Sequence, residues 1–318
     1  MAVSVPDTPR TAPTWRLGLQ GVILDSEHGT LPAVTPPKPA LYYAVTLACP
    51  RHCAFCFNHA VPRSRRRFDN SAYLAVVRAM ADFAHDGLDL RLNLSGGEPL
   101  AHPRIGELAL EASDLGLRVA VTTAGVRISD RQIEGLIAAG TDLSFSFDCA
   151  DEEVYERTRG CQTYRLARES LAVLTSAGLL GRAIVVVTRD TSPHLEATVA
   201  LLAGHGVAEF IVMEVTGSPE LFDRVGVRLP RERVAALHEA HPHARFVLGH
   251  QCPVTLNVSP GGTYYVQNPQ TDSVEFLGRV DDVGLPAAYA HYSGIAARQP
   301  VRASEILEAR AVGEVAVR

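Results

Sequence analysis

An α/β fold is what this sequence predicts, a mainly parallel sheet followed by a small C-terminal α+β module. Six short runs rich in β-branched residues alternate with amphipathic segments between Ala40 and Val215, which is the rhythm of βα units. Helix start and stop signals fall between the runs, and the periodicity changes after Val215. The rhythm is compatible with an open doubly wound sheet and with a barrel, and does not choose between them.

Residues 1–39 carry many prolines, including "TPPKP", and hold no sustained period. They read as an irregular lead-in with one short strand at 21–24. The strand-like runs that follow are "ALYYAVTL", "LRLNLS", "LRVAVTT", "DLSFSFD", "RAIVVVT" and "EFIVMEV". Helical patterns lie between them at 71–85, 104–115, 130–139, 168–177 and 194–205. Asp130 opens a helix, and Gly140 and Gly178 stand where helices stop. The main domain is therefore residues 40–216. Beyond it a helix at 230–240 precedes "VTLNVSPGGTYYVQN", which reads as a hairpin turning at Ser259-Pro260-Gly261-Gly262, and residues 217–318 form the small module.

With 318 residues, 47% of them hydrophobic and 20% charged, the chain can bury a large core. A formal net charge of -5 gives no global field that would attract nucleic acid or an anionic membrane. No apolar run reaches the length of a membrane span, and the N-terminus lacks the pattern of a secretory signal, so a cytoplasmic location is expected. There thiols stay reduced, and the six cysteines point to metal or redox chemistry before disulfides.

Three of those cysteines, Cys49, Cys53 and Cys56, crowd into "LACPRHCAFCFN", directly after the first strand of the main domain. Structural zinc takes four ligands, usually as two separated pairs; a second pair is missing, although His52 or His59 would supply one more ligand. An iron-sulfur cube takes one ligand per iron, so three thiolates leave one iron open to a substrate or cofactor. Loops at the carboxyl end of a parallel sheet are where active sites gather.

C-x3-C-x2-C with the aromatic Phe55 before the last cysteine resembles the cluster loop of the radical SAM enzymes. "LRLNLSGGEPL" carries Gly96, Gly97, Glu98 and Pro99 in what looks like that family's GGEP motif, whose backbone holds the amino group of S-adenosylmethionine (SAM). Two glycines allow close approach of the main chain, and Glu98 could accept hydrogen bonds from an ammonium. "VAVTTAGVRIS" is similar to the TTNG segment, and "LSFSFDCADEEVYERTRG" to the S-x-D-x(n)-RG segment. The resemblance implies SAM contacts from Thr122, Thr123 and Ser146, and a pairing of Arg159 with the methionine carboxylate. Ala124, Phe147 and Cys149 depart from the usual asparagine, leucine and glycine. It covers about residues 40–215 and implies a (β/α)6 partial TIM barrel, one 4Fe-4S cluster on Cys49, Cys53 and Cys56, SAM as second cofactor, and a 5'-deoxyadenosyl radical that abstracts hydrogen from carbon.

The segment that begins at Cys252 and runs through "SPGGTYYVQN" to "LGRV" resembles the opening of the SPASM or twitch modules, which hold auxiliary clusters in relatives. Gln267 stands where the next ligand should be, and no cysteine follows Cys252. A single cluster is therefore expected. Without an auxiliary electron acceptor, redox-neutral outcomes gain weight, such as epimerisation in which a thiol returns hydrogen to the substrate carbon. Cys252 is the candidate donor, Cys161 and Cys149 its rivals, and a buried leftover cysteine the plain alternative for Cys252.

The expected substrate is a small specialised metabolite or, in the runner-up reading, a ribosomal peptide undergoing cross-linking or thioether formation; a SAM-dependent dehydrogenase and an inactive iron-sulfur scaffold are the further alternatives. The lead-in looks too short for a winged-helix peptide-binding domain, which favours the small molecule. The arginines of "PRSRRRF" could steer an anion or dock an acidic electron donor such as flavodoxin or ferredoxin, or form a solvated loop. Glu214, at the end of the sixth run, could meet substrate or be an ordinary strand-end carboxylate.

Overall fold

The computed structural model describes residues 14–18, 21–25, 40–56, 58, 67–85, 91–215, 217–249 and 254–296. Seven parallel strands follow one another: β3 (Ala40–Thr46), β4 (Arg91–Gly96), β5 (Val119–Thr123), β6 (Asp142–Ser146), β7 (Arg182–Val187), β8 (Glu209–Glu214) and β9 (Arg245–Gly249). Their crossovers carry α1 (Asn70–His85), α2 (Ile105–Ser113), α3 (Asp130–Ala138), α4 (Glu152–Arg159), α5 (Tyr164–Ser176), α6 (Leu195–Gly204), α7 (Pro219–Val225) and α8 (Arg231–Ala240).

Each parallel strand pairs with its neighbours in sequence, from β3 to β9, with no reversal of order. A doubly wound sheet needs a switch point, so this order decides for the barrel. The barrel is partial, because β3 and β9 do not meet. β3 pairs instead with β10 (Thr255–Val258), which leads to β11 (Thr263–Asn268) and β12 (Ser273–Arg279). At the other edge β9 pairs with β2 (Gly21–Asp25) and β2 with β1 (Thr14–Gly18). The sheet thus has twelve strands among the described residues, and α9 (Leu285–Ala296) follows it.

The expected strands are found within a residue or two. Six strands and helices lacked a sequence expectation: β1, α4, α7, β9, β12 and α9. β9 reads "RFVLG", a plain apolar run just past "HPH", and its strand identity comes from pairing with β8. The hairpin is present, and it extends the barrel sheet through β3. Ser129 caps α3 reciprocally with Gln132, one residue before the expected start at Asp130.

Alternating residues of each strand face the helices, where Leu41, Leu92, Phe145, Val185 and Phe210 are fully buried in one continuous core. Each such side chain contributes about 1.5–3 kcal/mol of transfer free energy. At the amino ends of the strands the opposite face carries a row of alternating charge. Asp142 accepts from Arg182 Nη1 at 2.9 Å, Arg182 Nε reaches Glu209 at 2.7 Å, and Arg245 Nη1 reaches Glu209 at 3.3 Å. Arg91 joins the row through Asp142 at 3.5 Å. No described helix is long and apolar enough to cross a membrane.

Candidate active site

Cys49, Cys53 and Cys56 lie on the loop that leaves β3, and all three line one cavity of about 860 Å³, mouth included. None of them is in a disulfide. Burial pushes the Cys49 thiol up, partly offset by the Arg51 backbone N–H. The Cys53 thiol is pushed up to about 11 by burial, against the pull of Arg159.

The loop is held by main chain from two sides. Gly97 N–H donates to Thr46 O at 2.8 Å and Glu98 N–H to Ala48 O at 2.9 Å. A Cβ on Gly97 would lie 2.2 Å from Ala48 O, and one on Gly96 2.0 Å from Thr46 O, so these two glycines are required by the approach of β4 to the cysteine loop itself. From the other side, His52 N–H donates to Arg159 O at 2.9 Å and Ala54 N–H to Thr158 O at 3.0 Å. The C-terminal carbonyls of α4, which no residue further along the helix can satisfy, are thereby used to dock the loop. Gly160 ends α4 at φ 66°, where a Cβ would meet His52 O at 2.7 Å.

Glu98 is 2% exposed and its carboxylate is fully employed by the protein. Oε1 accepts from Thr123 Oγ1 at 2.6 Å and from Leu100 N–H at 3.1 Å, while Oε2 accepts from Ala124 N–H at 3.0 Å and from Arg51 Nη1 at 3.4 Å. Arg51 also donates to Ala124 O at 2.7 Å and to Gly125 O. The carboxylate thus forms a clamp that ties the cysteine loop to the ends of β4 and β5. Pro99, buried, opens a short 3-10 turn behind it.

Thr123 belongs to this clamp and is buried, whereas Thr122 is exposed on the face it shares with Ser144. Ser146 Oγ accepts from Arg159 Nη2 at 2.9 Å. Arg159 itself is 4% exposed, ion-paired with Asp148, and its Nη1 lies 3.6 Å from Cys53 Sγ. Asp148 further accepts from Val186 N–H at 2.9 Å. Burial works against the Arg159 charge, yet Asp148 and Cys53 hold the guanidinium cationic; burial pushes the Asp148 carboxyl above the usual range. Within the protein, the Arg159 guanidinium is thus engaged in an internal ion pair. Phe55 is turned from the cavity and packs with Val215 and Leu221, 5.3 Å below the Arg159 guanidinium carbon.

Of the rival hydrogen donors, Cys149 is wholly buried in the core, which removes it from the mouth. The Cys161 thiol contacts Arg159 O and Thr163 Oγ1 and does not line the cavity. Cys252, His59 and the arginines at 63, 65 and 66 lie outside the described residues. Glu214 accepts from Arg228 Nη1 at 2.9 Å and Leu229 N–H at 2.8 Å, an ordinary structural use. Sequence reasoning missed Arg51, Asn58, whose amide donates to Gly96 O at 3.1 Å, and the opposite wall of Tyr42, Asn257 and Tyr265. An arginine between two of the three clustered cysteines was the available signal for the first. The wall had none, since its strands meet only in the fold: Asn257 is in register with both Tyr42 and Tyr265.

A family model described as the radical SAM superfamily matches residues 43–202, half of the chain. This chain belongs to the radical SAM superfamily. Among curated relatives of this radical SAM protein, the PqqA peptide cyclase of Rhizobium meliloti (strain 1021) is 32% identical over 41% of this chain and 34% of its own length. The GTP 3',8-cyclase of Chlorobaculum tepidum is 27% identical over 65% and 63%. The dTDP-4-amino-4,6-dideoxy-D-glucose ammonia-lyase of Streptomyces venezuelae is 30% identical over 67% and 47%. The chain spans between about a third and just under two thirds of the length of these relatives. Streptococcus suis SuiB superposes with a TM-score of 0.61 at 13% identity over 82% of this chain and 68% of that one. anSMEcpe with bound AdoMet gives 0.59 at 14% over 79% and 80%. Both show the partial-barrel fold. The named relatives are enzymes, and the cofactors that go with the superfamily are a 4Fe-4S cluster and SAM. The residues fit that pair: three thiols outside any disulfide line one cavity beside the Gly96-Gly97 backbone, one donor short of a closed four-iron site.

Proposed function

We propose that this radical SAM enzyme reductively cleaves SAM at a cluster held by Cys49, Cys53 and Cys56 and abstracts hydrogen from a C–H bond of an uncharged group lying against Tyr42, Asn257 and Tyr265. The observation that carries the reading is that the three thiols and this wall line the same cavity. When bound, cluster and SAM together supply a 5'-deoxyadenosyl radical.

The protein's own contribution is placement. The Glu98–Arg51 clamp and the α4 carbonyls fix the cysteine loop. Gly96 and Gly97 present main chain to the cavity. Asn257 directs its amide to Thr255, with 2.8 Å to Oγ1 and 2.9 Å to the carbonyl, which turns its own carbonyl oxygen free to accept. Burial pushes the Tyr265 phenol up, so it stays a neutral donor. A wall of phenol, amide and hydroxyl groups suits a neutral, hydroxyl- or amide-bearing substrate.

A redox-neutral outcome, epimerisation foremost, is favoured by the sequence after β10, which offers Gln267 where a further cluster ligand would stand. Cys252 precedes the cavity-lining Thr255 by three positions and is the proposed hydrogen donor. A peptide substrate is the second reading, supported by the PqqA peptide cyclases among the relatives and by SuiB, solved with a precursor peptide. The test is an anaerobic iron and sulfide count with 5'-deoxyadenosine production, on wild type and on the Cys49→Ala, Cys53→Ala, Cys56→Ala triple variant. About four irons, lost with the nucleoside in the variant, support a single radical-generating cluster. About eight, half of them retained, overturn it and favour an oxidative reaction.

A further inference from the structure

The Asp of the "SFD" run is not used in the proposed function, yet it lies one side chain away from Cys53, through Arg159. Asp148 is 1% exposed and is ion-paired with Arg159, which reaches Cys53 Sγ from 3.6 Å. The guanidinium is therefore stretched between a buried carboxylate and the sulfur of a cluster ligand. Ser146 Oγ also accepts from it, and the Phe55 and Tyr155 rings pack near it, the latter at 5.7 Å.

An N–H aimed at a cluster sulfur draws electron density from it, and a fixed positive charge beside the cluster favours the state that carries one more electron. A buried negative charge does the reverse. We propose that Arg159 and Asp148 are positioning residues that set the reduction potential of the cluster in opposite directions, Arg159 raising it and Asp148 holding it down. The inference rests on the reading that Cys53 ligates a 4Fe-4S cluster. The balance is one electron and no proton: an external low-potential donor of the flavodoxin or ferredoxin class, or dithionite in the test, is oxidised by one electron as the cluster is reduced by one.

Two opposed charges give a signature that a structural role does not. Asp148→Asn leaves the guanidinium uncompensated and shifts the midpoint upward. Arg159→Met leaves the carboxylate and removes the N–H to sulfur, and shifts it downward. A charge-assisted hydrogen bond is strong enough to move the reduced-to-oxidised ratio by about tenfold, which for a one-electron couple is about 59 mV. Arg159→Met also strands a buried carboxylate and is the variant most at risk of unfolding; the Arg159→Met, Asp148→Asn double variant removes both charges and keeps a downward shift from the lost N–H alone.

The experiment is an EPR-monitored redox titration of reconstituted wild type, both single variants and the double variant, with iron counted on each sample. Fewer than four irons in wild type would refute the underlying reading. Four irons in wild type and in the Asp148→Asn and double variants, with midpoints moved up and down respectively, support the inference. Shifts of one sign, or none, with four irons retained would overturn it.

Discussion

Glu98→Gln is the sharpest probe of how the cysteine loop is held. In the wild type Oε2 accepts from two donors, Ala124 N–H at 3.0 Å and Arg51 Nη1 at 3.4 Å, both buried. Glutamine preserves the volume and leaves one carbonyl oxygen for Thr123 and Leu100, but sets an NH2 donor against those two donors. It also removes the carboxylate with which Arg51, 2% exposed, is ion-paired. Breaking a buried pair by removing one charge costs about 3–5 kcal/mol, more than a hundredfold in the folding equilibrium and a large part of a typical domain's 5–15 kcal/mol. The assay is anaerobic urea unfolding of the cluster-free protein, followed by an iron count after reconstitution. Glu98→Asp, which keeps the charge, recovers part of the loss. A Glu98→Gln protein within about 1 kcal/mol of wild type that still takes up four irons would refute the clamp.

Gly160→Ala forces a side chain into left-handed backbone with its Cβ 2.7 Å from His52 O; a loss of about 1–3 kcal/mol is expected from strain alone, together with lowered iron content, and unfolding plus an iron count checks both. Asp142→Asn in the half-exposed charge row should cost no more than about 1 kcal/mol and the cost should shrink at high salt, as measured by urea midpoints at two ionic strengths. The Cys149 thiol is raised by burial to about 11. Because the folded value lies above the unfolded one, its contribution to stability is complete below about pH 8.5 and is lost as pH rises toward 11. Cys149→Ala should flatten that part of the stability–pH curve, and wild-type Cys149 should resist alkylation at pH 7 until the protein unfolds.

What the sequence determined by itself was whatever rests on neighbours along the chain. Strand runs, helix stops, and the motif of Cys49, Cys53 and Cys56 are local patterns, and the family followed from their order. The Phe145 and Leu92 faces could be assigned from alternation alone. Tertiary structure decided the rest, because the relevant partners are remote in sequence. Arg51 finds Glu98 across 47 positions and Arg159 finds Cys53 across 106, contacts that no local pattern announces. β9 is a strand because β8 lies beside it, and the Tyr42–Asn257–Tyr265 wall exists because β10 closes onto β3. A backbone edge left open by a partial barrel must find hydrogen-bond partners, and which segment supplies them is fixed by the packing of the whole chain.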